Sequence, residues 1–365
     1  MNGAAEIVVD VVINNHNYGA YLADAIASVR AQTHPEVNLV VVDDGSEDDS
    51  REILAGEDDG IEVVLQPNRG QAAAINAGLE HCAGEAVIFL DADDTLHPEA
   101  TANVAAALAA TPRAAKVQYR MDVIDAEGRP TGEIKPHPHL PLPSGDLVRA
   151  ELAQPYDLVW MATSGNAFRL APLRRILPIP VDSYPRTGAD WYLVHLTTLL
   201  GPVVSLDRVG ASYRVHGANS YQPQDARLDL DQIRQRIEFA AVTSTHLLEL
   251  AAALEIPHPA EILSVADLAN RLISLKLDPA SHPLADDSVS GLLRDAGGAL
   301  RRREGASAAI KASFAAWFSA MAVAPPKPAR QLAEIFLFPE RRQSLNGLLG
   351  RLQRPGRNDV SALPN

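Results

Sequence analysis

The chain has 365 residues, a formal net charge of −14, and a composition that is 47% hydrophobic. This is typical of a globular protein with a sizeable core, and the length predicts one large domain with an appended region. The negative charge argues against a nucleic acid partner, and a single cysteine, Cys82, excludes an internal disulfide. We find neither a signal peptide nor about 18 uninterrupted apolar residues, so we expect a cytoplasmic protein without a transmembrane helix.

The first hundred residues alternate between apolar, β-branched runs and helix-like stretches. The predicted strands are Ile7–Ile13, Val37–Asp44, Ile61–Gln66 and Ala86–Asp91. The predicted helices between them are Tyr21–Gln32 and Gly70–Ala83, the second ending at Gly84 as its C-cap. Near-continuous apolar strands that alternate with helices indicate a mostly parallel sheet covered by helices on both faces.

Polar side chains follow each of these four strands. They are Asn14 and Asn15, Asp43 and Asp44, Asn68 and Arg69, and Asp91 and Asp93. In open α/β sheets, ligands bind beyond the carboxyl ends of the strands. The sequence therefore predicts a ligand site at this edge of the sheet.

The motif Asp91-Ala92-Asp93 follows a buried-looking strand. Residues two apart in an extended segment point to the same side, so the two carboxylates could share one Mg²⁺ or Mn²⁺ ion that keeps positions open for phosphate oxygens. The alternative is a solvated turn rich in aspartate. The position at the ligand edge favours the metal site. Asp94 should point the other way and cap the helix that follows.

Four further candidates each have a structural alternative. One of Asp43 and Asp44 could accept from a nucleobase or a ribose hydroxyl, while the neighbouring acids cap a turn. Arg69 lies where a helix N-terminus could receive a diphosphate, or is a surface cation. Asp190 could be a general base or could stabilise the dipole of its helix. His216, a lone loop histidine, could face an anion or the solvent.

Beyond about Tyr221 the strand-like runs disappear and amphipathic helices dominate. We predict one domain over residues 1–225, a helical region over residues 226–353 and a disordered tail over residues 354–365. The helical region could pack on the first domain or form a homodimer. Its basic end, "PERRQSLNGLLGRLQR", could contact the inner face of an anionic membrane, although structural packing is favoured.

The order of the motifs resembles that of the glycosyltransferase family 2 enzymes with the GT-A fold. The motifs are "VVINNHNYGAYLADAIASVRAQTHPEVNLVVVDDGSEDDS", "NRGQAAAINAGL", "FLDADD", "SGNAFR", "ADWYL" and "YRVHGANS", within residues 6–220. The resemblance implies a Rossmann-like α/β sheet. It also implies transfer of a sugar from a nucleotide-diphosphate donor, by default a UDP-sugar, to a carbohydrate, lipid-linked or other hydroxyl acceptor with inversion, as in cell-surface polysaccharide or glycoconjugate synthesis.

The resemblance also implies roles for individual residues. Those expected against the nucleotide or the donor are Asn14, Asn15, Asn17, Asp43, Asp44, Arg69, Asn76, Asp91 and Ala92. A Mn²⁺ or Mg²⁺ ion is expected on Asp93 and Asp91, with His216 completing the metal or diphosphate site. Asp190 matches the acid that deprotonates the acceptor hydroxyl.

The sequence departs from the family pattern in three places. Ala189 stands where a glutamate usually precedes Asp190, and "INNHNYG" replaces the commoner "IPTYN". The Gln-x-x-Arg-Trp motif of the processive synthases is absent, which favours a soluble enzyme that adds one sugar at a time.

The sequence disfavours two other classes of protein. A nucleotidyltransferase would need a glycine-rich phosphate loop after the first strand, where "NNHNYGAYL" has one glycine. A non-catalytic scaffold that binds nucleotide sugars is disfavoured by the joint presence of Asp91, Asp93 and Asp190.

Overall fold

The computed structural model describes residues 6–57, 60–217, 219 and 228–338. The strands in this part of the chain are β1 (Val9–Asn15), β2 (Val37–Asp44), β3 (Glu62–Gln66), β4 (Ala86–Asp91), β5 (Thr95–Leu96), β6 (Lys116–Ile124), β7 (Pro130–Lys135), β8 (Asn166–Arg169) and β9 (Val203–Arg214). The helices are α1 (Gly19–Arg30), α2 (Ser50–Ala55), α3 (Gln71–Glu80), α4 (Ala100–Ala110), α5 (Val148–Ala153), α6 (Leu170–Leu173), α7 (Ala189–Leu196), α8 (Leu230–Ala253), α9 (Val265–Leu277), α10 (Val289–Arg302), α11 (Ala308–Val323) and α12 (Pro326–Leu337).

The strands form one sheet in the order β3-β2-β1-β4-β8-β6-β9-β5, with β7 beside β6. Strands β1 to β4 are parallel to one another, as predicted. Strand β8 runs antiparallel to both β4 and β6, and β9 runs parallel to β6, so the sheet as a whole is mixed. Within β1, Asn14 is in register with Asp91 and Asn15 with Asp43, so the polar strand ends meet at one edge as predicted.

Two hydrophobic clusters cover the two faces of the sheet. Val11 and Ile13 point into the cluster that contains Leu22 and Ile26 of α1, whereas Val12 points into the cluster that contains Ile75 of α3. Successive side chains of a strand point to opposite faces, so a strand buried on both faces reads as a continuous apolar run. The predicted helices on both faces are therefore confirmed.

Strands β2 and β4 have the predicted bounds, whereas β1 runs two residues past the predicted Ile13. The extension follows from the register, because Asn14 and Asn15 each have a partner on a neighbouring strand. The predicted C-cap at Gly84 is wrong. Helix α3 ends at Glu80, and the Gly84 N–H donates to Asp10 Oδ2 at 2.7 Å.

The chain divides into two compact units. The described residues of the first lie within 6–222 and 236–267, and those of the second within 228–235 and 268–338. The boundary predicted near residue 225 assigned residues 236–267 to the helical region, but they group with the sheet. Phe239, Leu247 and Ala251 of α8 belong to the cluster that also contains Ile75, which explains the grouping.

Two further predictions concern the end of the chain. The basic segment and the tail predicted over residues 354–365 lie outside the described residues. Within the described part of the chain, no helix has the length and apolar character needed to cross a membrane.

Candidate functional site

The end of β4 carries a cluster of carboxylates. Asp91 is partly exposed, whereas Asp93 and Asp94 are buried. Asp91 Oδ1 accepts hydrogen bonds from Asn14 Nδ2 at 3.0 Å and from Gln71 Nε2 at 3.2 Å. Burial, followed by the charge of Asp93, raises the pKa of Asp91 to about 7, although these two hydrogen bonds oppose the shift. The site therefore concentrates negative charge that two amide donors only partly offset.

His216 reaches the same cluster from the segment after β9. Its Nε2 lies 3.0 Å from Asp93 Oδ2, and its backbone N–H donates to Asn219 Oδ1 at 2.9 Å. The imidazole packs against Tyr21 and Tyr18, with ring centroids 4.8 and 5.5 Å away. The structure thus brings together Asp93 and His216, which are 123 residues apart in the chain.

Arg214 anchors the segment that carries His216, and sequence reasoning missed this role. The Arg214 backbone N–H donates to Asp94 Oδ1 at 3.0 Å, and its Nε donates to the Asp93 carbonyl at 2.8 Å. The helix-capping role predicted for Asp94 is wrong, because its carboxylate bonds to β9 and α4 begins only at Ala100. Burial and the charge of Asp93 raise the pKa of Asp94 well above its ordinary value.

The acids at the end of β2 have a different environment. Asp43 accepts from Asn15 Nδ2 at 3.1 Å, from the Ser46 N–H at 3.1 Å and from Arg51 Nε at 2.9 Å. Burial acts to raise the pKa of Asp43, but the hydrogen bonds from Ser46, Arg51 and Asn15 outweigh it and lower the pKa. Asp43 is thereby held as a carboxylate by donors from β1, from the turn after β2 and from α2.

Asp44 holds the turn before α3. Its two oxygens accept from the N–H groups of Arg69 and Gly70 at 2.8 and 2.7 Å, and from Gln66 Nε2 at 2.6 Å. Gly70 has a φ of +86°, and a Cβ at that position would lie 2.1 Å from the Pro185 carbonyl oxygen, so glycine is required. The Asp44 carboxylate thus fixes a turn that lies directly against the segment leading to α7.

Several other residues that were predicted to contact the nucleotide or the sugar donor make contacts within the protein. Asn17 Oδ1 accepts from the Glu47 N–H at 2.7 Å. The Asn76 amide pairs with the backbone of Ile179 in both directions, at 2.9 and 2.8 Å. The side chain of Arg69 is exposed and that of Ala92 is buried. Contact of these residues with a nucleotide or a donor stays a prediction.

Asp190 lies in the first turn of α7. The N–H of Trp191 donates to its Oδ1 at 3.0 Å. The carboxylate therefore also accepts from an N–H of the first helical turn, in line with the alternative role of stabilising the helix dipole. Burial raises the pKa of Asp190, while this hydrogen bond and the charge of His195 act in the opposite direction. The charge of Asp190 in turn contributes to the raised pKa of Asp91, so the two acids lie within electrostatic reach.

The carboxylate oxygens of Asp91 and Asp93 fit a divalent cation that takes most of its ligands from outside the protein. Carboxylate oxygens are the ligands that Mg²⁺ prefers, and a cation would relieve the repulsion that raises the pKa of Asp91. Over residues 6–57, 60–217, 219 and 228–338, no group of three or more His, Cys, Asp or Glu side chains is placed to hold a metal ion. Asp91 and Asp93 would therefore share such an ion with water or phosphate oxygens.

The sequence reasoning missed three residues of this site. Gln71 directly follows the quoted "NRG" run, and Arg214 lies two residues before His216, so adjacency to a predicted site residue was the available signal. Ser164, whose Oγ accepts from the Asp91 N–H at 3.1 Å, lies in the "SGNAFR" motif that the resemblance had already marked.

Comparisons with known proteins bear on the family and the fold of the chain. Residues 10–171 match the family described as glycosyl transferase family 2. The uncharacterized glycosyltransferase alr2836 of Nostoc sp. is 35% identical over 217 residues, which cover 58% of this chain and 66% of that protein. The putative teichuronic acid biosynthesis glycosyltransferase TuaG of Bacillus subtilis is 41% identical over 91 residues, which cover 24% of this chain and 36% of that protein. The chain thus spans less than two thirds of the length of these relatives.

Among solved structures, residues 1–349 of S. aureus TarS, in complex with UDP-GlcNAc, superpose with a TM-score of 0.50. The match covers 90% of this chain and 89% of that one at 15% sequence identity, so it bears on the fold alone. The fold is that of the GT-A glycosyltransferases, as predicted. Residues 10–171 thus form a glycosyl transferase family 2 domain.

Proposed function

We propose that this protein transfers a single sugar from a nucleotide-diphosphate sugar, with a UDP-sugar as the first choice, to a hydroxyl acceptor with inversion. The observation that carries the proposal is the carboxylate cluster of Asp91 and Asp93 at the ligand edge of the sheet, with Asp190 within electrostatic reach. TarS was solved with UDP-GlcNAc, which supports a UDP-sugar. The name of TuaG refers to teichuronic acid biosynthesis, which supports a role in cell-surface polysaccharide synthesis.

On the donor side, Asp91 and Asp93 would hold a Mn²⁺ or Mg²⁺ ion. When bound, the cation supplies positive charge that balances the nucleoside diphosphate leaving group. Asn14 and Gln71 orient the Asp91 carboxylate, and His216 orients that of Asp93. These contacts hold the two carboxylates in place before a donor arrives, which lowers the cost of ordering them on binding.

On the acceptor side, Asp190 is the proposed general base. The acceptor oxygen bonds to the anomeric carbon, the bond from that carbon to the diphosphate oxygen breaks, and the hydroxyl proton passes to the Asp190 carboxylate. Inversion requires the base and the leaving group to lie on opposite faces of the sugar. By analogy with glycoside hydrolysis, we expect a transition state with oxocarbenium character. Burial raises the pKa of Asp190, which makes it a stronger base than an exposed aspartate.

The test combines a donor screen with one substitution. UDP-, GDP- and dTDP-sugars are incubated with candidate acceptors and Mn²⁺, and products are followed by mass spectrometry. Asp190→Asn should lower kcat by about 10²- to 10⁴-fold while the thermal shift caused by UDP and Mn²⁺ is kept. Asp182→Asn, at an exposed acid near α7, is the matched control and should retain activity. Full transfer by Asp190→Asn would remove the assigned base, and release of pyrophosphate from a nucleoside triphosphate and a sugar phosphate would replace the proposal with nucleotidyl transfer.

The remaining predictions extend this proposal. We propose a carbohydrate or lipid-linked acceptor, a cytoplasmic reaction at or near the inner face of the membrane, and no nucleic acid partner. A homodimer stays a prediction for the helical region.

A further inference from the structure

Three ionisable side chains are buried together away from the carboxylate cluster. Lys116 of β6 and Glu151 of α5 have no exposed surface, and His195 in the last turn of α7 is 5% exposed. Glu151 Oε1 lies 2.5 Å from His195 Nδ1. Among the residues that the structure describes, neither Glu151 Oε2 nor Lys116 Nζ has a hydrogen-bond partner. Burial of charged groups is costly unless they are paired, so the arrangement of charge in this cluster is closely constrained.

Aromatic rings enclose the imidazole of His195. The ring centroids of Tyr156, Trp160 and Trp191 lie 5.2, 6.0 and 5.7 Å from the centroid of the imidazole. Lys116 Nζ lies 4.0 Å from the centroid of the Trp160 ring, on its face. Such a shell excludes water, and charges interact more strongly where water is excluded.

The charges in this cluster can balance in one simple way. Burial lowers the pKa of Lys116 to about 7, with Glu151 opposing the shift, so the amine can be neutral near neutral pH. Burial raises the pKa of Tyr156 well above its ordinary value, so the phenol keeps its proton. The Glu151 carboxylate then needs another partner, and the imidazole of His195, 2.5 Å away, is a group in this cluster that can supply a matching positive charge. His195 also acts on Asp190 of the same helix, and Asp190 interacts in addition with Asp91 at the end of β4.

Helix α7 connects this cluster to the proposed base. Asp190 lies in the first turn of this eight-residue helix and His195 in the last. Trp191 donates its N–H to Asp190 Oδ1, and its ring packs against His195. Burial raises the pKa of Asp190, and the positive charge of His195 is among the influences that lower it. The imidazole thus acts on two carboxylates, Glu151 by direct contact and Asp190 through its charge.

We propose that His195 is a positioning residue for Asp190: Glu151 accepts the Nδ1–H of a His195 imidazolium that carries a proton on both ring nitrogens, and the positive charge of this imidazolium keeps the Asp190 carboxylate ionised. This inference rests on the proposed function, in which Asp190 accepts the proton of the acceptor hydroxyl. Glu151 acts through His195 and is also a positioning residue.

The first test is the pH dependence of kcat/KM, with the donor and acceptor that the transfer screen identifies. His195→Gln removes the positive charge and keeps an amide that can donate to Glu151. Without that charge Asp190 takes up a proton at higher pH, so the acid limb should move upward by about 0.5–1 pH unit. Glu151→Gln should move it in the same direction, because His195 then loses the carboxylate that favours its protonated form.

Lys116→Met is the matched control from the same cluster. It removes the buried amine and keeps an unbranched side chain, so the acid limb should stay at the wild-type pH. If His195→Gln and Glu151→Gln lower activity equally at every pH and leave the limb in place, the pair is structural only and the inference is overturned. A shift in Lys116→Met as large as that in His195→Gln would assign the charge to the lysine and also overturn it.

A second measurement does not depend on activity. In ¹⁵N NMR of histidine-labelled protein at pH 7, one imidazole should have the chemical shifts of the protonated form, and that signal should change in Glu151→Gln. A neutral His195 in the wild type would overturn the inference even if His195→Gln fails to fold. An active Asp190→Asn would instead remove Asp190 as the base and this inference with it, although sugar transfer itself would stand. Absence of transfer by the wild-type protein with every donor screened would remove the proposed function. An inactive Asp190→Asn together with unmoved limbs would overturn this inference alone.

Discussion

Strands β2 and β4 belong to the same parallel half of the sheet, and each ends in acidic residues. At the end of β2, Asp43 and Asp44 each accept three hydrogen bonds from donors in neighbouring strands, loops and helix α2. At the end of β4, Asp91 and Asp93 lie beside like charges, and the pKa of Asp91 rises to about 7. The pKa of Asp43 moves the other way. The first pair stabilises loops, whereas the second retains negative charge that a ligand can balance.

The comparison indicates that a carboxylate at a strand end can have a structural role, so its position alone does not identify a ligand site. Contact of Asp43 or Asp44 with a nucleobase or a ribose hydroxyl stays a prediction. An aspartate whose carboxylate accepts hydrogen bonds from donors within the protein can stabilise the structure. An aspartate that lies beside other carboxylates, with their repulsion unrelieved by the protein, is a candidate for binding a cation. The two kinds of acid should therefore respond in opposite ways to substitution.

The largest effect is expected at β4. Asp93→Asn should lower kcat/KM by about 10²- to 10³-fold, because it removes one carboxylate that would hold the cation. The same change removes a like charge next to Asp91 and Asp94, so the metal-free protein should unfold about 2 °C or more higher. Transfer assays and calorimetry in EDTA measure the two effects.

The control for that substitution is Asp49→Asn, at an exposed acid that makes no side-chain capping bond. It should change neither activity nor unfolding temperature. If Asp93→Asn were destabilised in EDTA, Asp93 would be a structural acid like those of β2, and the contrast between the two strands would fail.

The next effect is expected at β2. Asp44→Ala should lower the free energy of unfolding by about 1–3 kcal/mol, because the N–H groups of Arg69 and Gly70 lose their acceptor. Urea denaturation of the two proteins measures the difference. A variant as stable as the wild type would show that this carboxylate does not hold the turn before α3.

The third prediction concerns pH. In the folded protein the pKa of Asp91 is raised from its ordinary value of 3.8 to about 7, so the folded state keeps a proton that the unfolded chain has lost. The stability contributed by this group is therefore full below about pH 4 and is lost as pH rises through about 7. In EDTA, the unfolding temperature of the wild type should fall relative to that of Asp91→Asn over this range. A difference in unfolding temperature that stays constant over this pH range would contradict the raised pKa of Asp91.

The smallest effect is expected for Arg51→Met. The Arg51 side chain is half-exposed, and Asp43 keeps its bonds to Asn15 and Ser46, so the loss should stay below about 1 kcal/mol. Urea denaturation is again the measurement. A loss of several kcal/mol would mean that Arg51, and not the loop, holds the Asp43 carboxylate.

Local patterns in the sequence were enough to predict the parallel strands and the edge at which the site lies. Alternation of apolar runs with helices follows from burial on both faces, and the polar residues mark where each strand leaves the core. Asp91 and Asp93 were found in this way. The hydrogen-bond donors and charges around Asp91, Asp93 and Asp43 could not be predicted in this way. Aspartates at two strand ends look identical in sequence and differ only in the groups that surround them.

What the sequence did not reveal depends on long-range partners. Asp94 bonds to the backbone of Arg214, which is 120 residues away, so a local pattern suggested a helix cap instead. Asn76 pairs with the backbone of Ile179, 103 residues away. Period and composition describe one element at a time, and these contacts are set by how distant elements pack.

The central claim is that the acids of β4 and a divalent cation together bind the nucleotide. Calorimetric titration of UDP into the wild-type protein with Mn²⁺, into the same protein with EDTA, and into Asp93→Asn with Mn²⁺ tests it most directly. We predict binding in the first case and at least about a tenfold loss of affinity in the other two, a cost of about 1.4 kcal/mol. Equal affinity for UDP in all three titrations would contradict the claim.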